Sequence, residues 1–299
     1  MIFINSFDNI FELARGKKAT VVVAEACSEH IMDTVEKVLE QGLANMVLVG
    51  GEATIKKIAE NRGLDASKFK VINATTPEEA CKIAVDAVNS GKATSLMKGN
   101  VDTSIIMSAI LNRENGLRIG KKLSHIAAFK PPHYHKLMFV SDCAININPD
   151  FDTKIDIIES AVAAVRNLGI NQPKVALLAA KEKVDEKMPI TQEWAKIVDI
   201  HRAGEKMQNC IIDGPLALDN AVSKQSCQIK GIDSPVGGDA DILICPNIEA
   251  GNILYKSLSF MANAQNGGVV VGAKCPIVLT SRADSTESKL ISIALSVLM

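Results

Sequence analysis

The segment AKCPIVLTSRAD, from Ala273 to Asp284, carries the pattern from which the fold of this chain is best predicted. Its apolar run predicts a short buried strand, which delivers a hydroxyl and a guanidinium together to its carboxyl end. In open α/β sheets, ligands bind at that end. Arg282 offers a planar fork of donors that suits phosphate, and Ser281 adds a short donor beside it. The segment therefore predicts an α/β protein with a phosphate-handling site near its C-terminus.

Composition narrows the class of protein. The 299 residues are 47% hydrophobic but only 4% aromatic, which predicts one large or two ordinary α/β domains with aliphatic cores. A net charge of -1 argues against a basic surface for nucleic acid. The seven cysteines form no C-x-x-C pair. This pattern predicts that the cysteines are reduced thiols. The sequence also shows no signal peptide and no apolar run near the ~20 residues of a membrane helix, which predicts a cytoplasmic location and no membrane partner.

Apolar strands alternate with amphipathic helices along the chain, which predicts a mostly parallel sheet with right-handed crossovers. The predicted strands are 20–24, 46–49, 69–72, 95–97, 137–141, 175–179, 210–212, 242–245, 269–271 and 277–279. The predicted helices are 28–42, 52–61, 77–88, 102–111, 155–168, one beginning at 216, 248–264 and 286–298. Ten strands exceed the usual width of one open sheet, so the pattern favours two α/β units joined near 125–135.

A second candidate anion site follows the strand 95–97. There a Lys98-Gly99 turn leads into a helix that begins near Thr103. Gly99 would let backbone N–H groups approach an anion, the helix N-terminus favours negative charge, and Lys98 would add a point charge. An ordinary loop with a solvated lysine explains the same residues equally well.

Two further polar clusters follow predicted strands. Asp213 and Asn220 flank a Gly-Pro turn and could face a ligand, although capping and turn chemistry is the better explanation. In the second cluster, amides, a glycine and a lysine crowd a helix start, where Gly costs up to ~1 kcal/mol of helix propensity. A ligand or a close helix contact at Gly251 would explain that composition. The residues of this second cluster are Asn247, Gly251, Asn252 and Lys256.

Sequence motifs of other known nucleotide-binding, hydrolase and metal sites are incomplete or absent. Gly116–Lys122 is a residue short of a P-loop, and no G-x-G-x-x-G or G-x-S-x-G follows a strand. His133 and His135 flank Tyr134 beside two prolines, which favours a surface loop over a metal site. Arg282 could also simply pair with Asp284 or Glu287, so its phosphate role does not follow from this segment alone.

Five separated segments, in the same order, resemble the phosphate acyltransferase family, which includes phosphate acetyl- and butyryltransferases. The segments PNIEAGN and TSRA are most similar to those of the butyryl branch. Two positions differ from acetyl-transferring members: Phe260 stands where they usually carry Arg, and Ser288 where they carry Asp. The matching segments are Lys187–Pro189, Asp213–Leu216, Pro246–Lys256, Lys274–Pro276 and Ser281-Arg282.

The resemblance implies two α/β domains, 1–128 plus 268–299 and 129–267, with an active-site cleft between them. That architecture is shared with isocitrate/isopropylmalate dehydrogenases. It also implies a homodimer or larger homo-oligomer, and a C-terminal helix that returns to the first domain.

The implied reaction is acyl-CoA plus phosphate giving acyl phosphate plus CoA, with butyryl-CoA favoured. No metal and no permanently bound cofactor is expected, since CoA is a substrate and its own thiol serves as nucleophile. Arg282 is expected to bind the phosphoryl group, Ser281 to donate to phosphate or oxyanion, and Asp284 to polarise the thiol. The expected substrate-binding residues are Lys98, Gly99, Thr103, Asp213, Asn220, Asn247, Gly251, Asn252, Lys256 and Lys274.

Three alternatives stay open. The first is a phosphate acetyltransferase. The second is a metal-dependent, NAD(P)-linked β-decarboxylating dehydrogenase, for which Asp213, Asp219, Asp239 and Asp241 are the candidate ligands. The third is a CoA-sensing module that resembles the acyltransferase-like domain attached to some malic enzymes.

Overall fold

The computed structural model describes residues 4–280 and 284–299. In the first part of the chain the elements are α1 Phe7–Arg15, β1 Thr20–Ala24, α2 Glu29–Glu40, β2 Asn45–Gly50, α3 Glu52–Asn61, β3 Phe69–Asn73, α4 Pro77–Asn89, β4 Ser95–Lys98 and α5 Thr103–Leu111. They continue with β5 Ser124–Lys130, β6 Met138–Ser141, α6 Phe151–Asn167, β7 Lys174–Leu178, α7 Pro189–Arg202, β8 Ile211–Leu216, α8 Leu218–Val222, α9 Lys224–Lys230, β9 Ile242–Ile244, α10 Ile248–Lys256, β10 Gln265–Val271, β11 Ile277–Val278 and α11 Thr286–Leu298.

One compact unit, which we call the β1 unit, comprises residues 7–121 and 267–299. Its strands lie in the order β3-β2-β1-β4-β11-β10, parallel except for the antiparallel pair of β10 with β11. Residues 21–24 of β1 are fully buried. Such a continuous apolar run is typical of a parallel strand covered by helices on both faces.

Local caps explain where the helices of the β1 unit begin. Ser28, Thr76 and Ser285 each accept a backbone N–H three residues ahead, at the starts of α2, α4 and α11. Pro77 adds its fixed φ at the first turn of α4. The last helix, α11, packs against α1 and α2 and against the strands β1, β4 and β11.

The second compact unit, the β6 unit, comprises residues 4–6 and 122–266. Its strands lie in the order β5-β6-β9-β7-β8, parallel except for the antiparallel pair of β5 with β6. A core that includes Phe129, Val140 and Leu243 is completely buried. Tyr134 packs against this core and donates its hydroxyl proton to the Ala240 carbonyl at 2.7 Å.

The α/β class with mostly parallel strands is confirmed. Four elements were absent from the sequence prediction, namely α1, α7, α9 and β5. The strand β8 also runs through Gly214-Pro215, where a turn was predicted, because a register shift against β7 accommodates both residues. The helix predicted over 248–264 ends at Lys256 and continues as a π-helix over Ser257–Met261. Within residues 4–280 and 284–299, no helix has the length and apolar composition to span a bilayer.

Candidate active site

The carboxyl edge of the β1 unit contains a reversal of strand order. From β1 the chain adds β2 and β3 on one side, whereas β4 and β11 lie on the other side. The carboxyl ends of β1 and β4 therefore form a topological switch point, the usual position of ligands in open α/β sheets. Glu25 follows β1 there, and Lys98 ends β4.

Glu25 and Gly99 bring two backbone segments into close contact at this switch point. Glu25 adopts a left-handed φ of 60°, a strained conformation that tends to cluster at functional sites. The Asn100 N–H donates to the Glu25 carbonyl at 2.7 Å, and the Gly99 N–H donates to the Ala24 carbonyl at 2.8 Å. A Cβ at Gly99 would lie 2.1 Å from the backbone carbonyl oxygen of Glu25. Gly99 is therefore required for backbone approach, and the expectation that its own N–H is available to an anion needs correction.

Lys98 is buried rather than solvated. Its Nζ donates to the carbonyl of Val101 at 2.9 Å and to that of Gly99 at 3.5 Å. These contacts place a positive charge inside the loop that follows β4. Thr103 begins α5 and is exposed at its N-terminus. The structure thus brings Lys98, Gly99 and Thr103 together beside the carboxyl end of β1.

The strand β11 ends at the same edge, because it runs parallel to β4. Ser281 and Arg282 lie outside the described residues, so their predicted roles stay predictions. Asp284 is half-buried just before Ser285, and its charge acts on the Lys289 amine of α11. The position of Asp284 is thus compatible with a polar role near the start of α11.

Lys274 lies at the opposite edge of the sheet. It precedes β11, and its Nζ donates to Asn89 Oδ1 at 2.6 Å, at the last residue of α4. Its N–H donates to the Leu117 carbonyl at 2.8 Å. The sequence predicted that Lys274 contributes to substrate binding. The structure instead separates it from Lys98 by the length of the strands, because the two residues lie at opposite ends of neighbouring parallel strands.

In the β6 unit, the parallel strands β6 and β9 end beside each other. Asp142 follows β6 and is buried, and Asn247 follows β9 and caps α10 by accepting the Ala250 N–H at 3.0 Å. A Cβ at Gly251 would lie 2.1 Å from the Asp142 carbonyl oxygen. Asn252 donates its side-chain amide to the Cys143 carbonyl at 3.2 Å. The structure therefore brings Asn247, Gly251 and Asn252 together around the loop after β6.

Sequence reasoning missed Asp142, which organises that loop. Its Oδ1 accepts backbone N–H groups of His125, Ala144 and Ile145 at 3.2, 2.9 and 3.1 Å. Its Oδ2 accepts the backbone N–H of Asn146 at 3.0 Å and that residue's side-chain amide at 2.6 Å. An aspartate directly after a predicted strand, ahead of a segment with two asparagines and a second aspartate at Asn146–Asp150, was the available signal.

Lys256, Asp213 and Asn220 have partners within the β6 unit. The exposed Lys256 ammonium lies 5.8 Å from the centre of the Phe260 ring. Asp213 accepts from Arg202 at 3.4 Å inside β8, and so does not close a strand as predicted. Asn220 is fully buried and donates to Ser226 Oγ at 3.1 Å. The expectation that Asn220 faces a ligand therefore needs correction, because its side chain is used inside the fold.

The carboxylates considered for a metal-dependent dehydrogenase are paired with cations. Asp213 contacts Arg202, and Asp219 contacts Lys230 at 2.9 Å. Asp239 and Asp241 are both bound by Lys136, at 2.9 and 2.8 Å, and Lys174 contacts Asp239 at 2.7 Å. Each of the four carboxylates thus has a lysine or arginine partner, so its negative charge is balanced without a divalent cation.

A cavity of about 540 Å³ lies between α4 and α5. Its wall combines acidic, basic and hydroxyl side chains with Ile105 and Val85. None of the residues predicted to bind substrate forms part of this wall.

Comparison with known proteins identifies the family. The model of the family described as phosphate acetyl/butaryl transferase matches residues 5–84 and 78–297. A phosphate butyryltransferase of Clostridium acetobutylicum is 40% identical over 99% of this chain and 98% of its own length. A phosphate acetyltransferase of Thermotoga maritima is 41% identical over 97% and 98%.

Solved structures lead to the same result. The branched-chain phosphotransacylase from Enterococcus faecalis V583 matches with a TM-score of 0.81 and 34% identity, over 93% of this chain and 97% of that one. Both the sequence and the architecture agree along nearly the whole length. The chain is an enzyme of the phosphate acetyl/butaryl transferase family.

Proposed function

We propose that this enzyme transfers a short-chain acyl group between CoA and inorganic phosphate, with butyryl favoured. The observation that carries the proposal is the nearly full-length match to a phosphate butyryltransferase. The PNIEAGN and TSRA segments, which resemble the butyryl branch, support the same acyl preference. The homo-oligomer and the cytoplasmic location stay predictions.

The proposed mechanism is direct transfer. The CoA sulfur attacks the carbonyl carbon of an acyl phosphate, and a C–S bond replaces the C–O bond to phosphate. The electron pair of that C–O bond leaves with the phosphate. Arg282 binds the phosphoryl group, and Ser281 donates to the phosphate or to the oxyanion of the tetrahedral intermediate. The buried Lys98 ammonium at the switch point adds positive charge at the carboxyl edge of the β1 unit.

The enzyme's own cysteines are poor alternatives to the CoA thiol as nucleophile. Burial, together with nearby Glu25, raises the pKa of the half-buried Cys27 to about 11. Burial raises the pKa of Cys81 to about 11 and that of Cys245 to about 12. Only a thiolate attacks a carbonyl efficiently, so these thiols are almost entirely unreactive near neutral pH. This supports transfer without an acyl-cysteine intermediate.

The first experiment substitutes Arg282→Gln and measures release of CoA thiol from butyryl-CoA in the presence of phosphate. Loss of a charge-assisted phosphate bond costs about 2–4 kcal/mol in the transition state, a factor of roughly 30 to 1000 in rate. The exposed Arg113, changed to Gln, serves as the control and keeps the wild-type rate. A normal rate in Arg282→Gln would contradict the assigned role.

The second experiment tests the acyl group. Rates of thiol release are compared for acetyl-, propionyl-, butyryl- and valeryl-CoA with phosphate. The proposal expects kcat/KM to be highest for butyryl-CoA, although one methylene is worth only about 1–3 kcal/mol. A preference for acetyl-CoA would favour the acetyltransferase alternative, which the relative from Thermotoga maritima supports. Binding of CoA with no turnover of any thioester would indicate a sensing module instead.

A further inference from the structure

A buried lysine contacts a histidine at the carboxyl edge of the β1 unit. Lys289 lies one turn into α11 and is only 1% exposed. Its Nζ is in hydrogen-bond contact with Nε2 of His30, an exposed residue in the first turn of α2. The pair thus connects a buried amine to a solvent-exposed imidazole.

The topology places this pair beside the candidate site. The helix α2 begins five residues after β1, and α11 begins eight residues after β11. Both strands run parallel to β4, which lies between them. His30 and Lys289 therefore lie at the edge that carries the switch point.

The contact itself restricts protonation. A hydrogen bond between an amine and an imidazole requires one nitrogen to donate a proton and the other to offer a lone pair. Burial lowers the pKa of the Lys289 amine, and the charges of Asp284 and Asp33 oppose that shift. The charge of Asp33 is shared, because Asp33 also pairs with Arg62 of the neighbouring α3 end at 2.5 Å.

Another buried lysine provides a contrast. Lys154 of the β6 unit is 5% exposed, and its Nζ contacts the Glu193 carboxylate at 2.6 Å. That is the usual solution for a buried cation, namely a carboxylate partner in direct contact. Lys289 instead contacts a titratable base, so a proton can be exchanged within the pair.

We propose that His30 exchanges a proton with the CoA sulfur and that Lys289 positions the His30 ring and takes up the proton that the ring releases from Nε2. This inference rests on the proposed acyl transfer. It supplies a proton acceptor that the resemblance leaves open, since Ser288 stands at the family's Asp position. The Ser288 N–H donates to Ser285 Oγ at 3.1 Å, and the two hydroxyls contact each other at 3.0 Å, so Ser288 takes part in capping α11.

The proton movements balance with the acyl transfer. When CoA attacks an acyl phosphate, the thiol proton moves to Nδ1 of His30 while the C–S bond forms and phosphate leaves. The proton on Nε2 of His30 passes to the Lys289 amine, whose new positive charge faces Asp33 and Asp284. In the opposite direction, the ammonium returns a proton through the imidazole to the departing CoA thiolate.

The test uses CoA and butyryl phosphate and follows the disappearance of free thiol from pH 5 to 10. His30→Gln is expected to lower kcat about 100- to 10,000-fold, the range of general acid–base catalysis, with little change in the KM for CoA. Its pH–rate profile is expected to lose the acidic limb. The exposed His133 of the β6 unit, changed to Gln, keeps both the rate and the profile. His30→Ala is expected to regain part of its rate with added imidazole.

Variants of Lys289 separate proton exchange from simple charge. Both Lys289→Met and Lys289→Arg are expected to lower kcat and to shift the pH–rate profile, because neither side chain can accept a proton from the imidazole. The ring nitrogen chemical shifts of His30 in NMR spectra are expected to change in Lys289→Met. This readout does not depend on turnover.

Two results would overturn the inference alone. The first is an unchanged pH–rate profile in His30→Gln, and the second is wild-type behaviour of Lys289→Arg, which would mean that only a positive charge is needed. If the wild-type enzyme forms no thioester from butyryl phosphate, the proposed function fails and the catalytic role of His30 fails with it. In that case the NMR comparison still reports whether the two side chains are coupled.

Discussion

At the scale of single residues, burial of the Lys289 amine carries a cost in stability. We expect Lys289→Met to raise the free energy of unfolding by about 1 kcal/mol at pH 7, because methionine keeps the buried stem and removes the cost of taking a titratable amine out of water. The native pKa of Lys289 is lowered, so the native state binds fewer protons than the unfolded state below the unfolded lysine pKa of about 10.4. The wild-type enzyme therefore gains stability as pH rises, and the advantage of the variant shrinks between pH 7 and 10.

Urea unfolding of both proteins at pH 7 and pH 9 measures this difference. Lys154→Met is the matched control, because it removes an equally buried amine that has Glu193 as its partner. We expect that control to be destabilised by about 1–3 kcal/mol, since it leaves a half-exposed carboxylate without its cation. The same loss of stability in both variants would contradict the view that Lys289 was retained for chemistry rather than for packing.

At the scale of elements, close backbone contacts fix α10 on the loop after β6. Alanine normally stabilises a helix relative to glycine by up to about 1 kcal/mol. At Gly251 we expect the opposite, a loss of about 1–3 kcal/mol, because the added Cβ would lie 2.1 Å from the Asp142 carbonyl oxygen. Thermal unfolding of Gly251→Ala checks this. Gly16→Ala is the control, since its nearest contact would be 3.4 Å, and a stable Gly251→Ala would exclude the close approach.

The elements also show what the sequence can and cannot predict. Strands such as β1 are predictable because their apolar runs are long, and α2 and α4 because Ser28 and Thr76 mark their starts. The helix α7 was missed although Trp194, Ile197 and Val198 have helical spacing, so that omission was avoidable.

Two other features depend on tertiary contacts rather than on local sequence. The strand β8 continues through Gly214-Pro215 only because its partner β7 shifts register there. In the candidate site, Lys98 and Gly99 were found from local pattern. His30 and Lys289 are 259 residues apart in the chain, and no local signal joins them.

At the scale of the whole molecule, one ion cluster sets part of the acid stability. Burial of Asp239 favours its neutral form, but hydrogen bonds from Lys174, Lys136 and His135 outweigh that effect and lower its pKa. A carboxylate with a lowered native pKa stabilises the fold above its unfolded pKa of about 3.9, and this contribution is lost as pH falls toward the native value. We expect Asp239→Asn to lose about 1–3 kcal/mol of unfolding free energy at pH 7.

That difference is expected to shrink below about pH 4, because the carboxylate of the unfolded wild-type chain then takes up a proton while the native carboxylate is still ionised. Denaturant titrations of both proteins at pH 7, 5 and 3.5 measure the trend. Asp233→Asn, at an exposed position of the same unit, is the control and is expected to change stability little at any of these pH values. A difference between wild type and Asp239→Asn that stays constant over this range would exclude the ion cluster as its source.

The seven cysteines provide a test of the native molecule as a whole. All seven are free thiols, six of them buried, and the pKa of each is raised by burial. Reaction with a disulfide reagent such as DTNB requires both access and a thiolate. We therefore expect the native enzyme to react slowly at pH 7.5 and the protein unfolded in guanidinium to release seven equivalents at once. Rapid reaction of one native thiol, blocked by prior incubation with butyryl-CoA, would instead reveal a nucleophilic cysteine. That result would replace direct attack by CoA with an acyl-enzyme route.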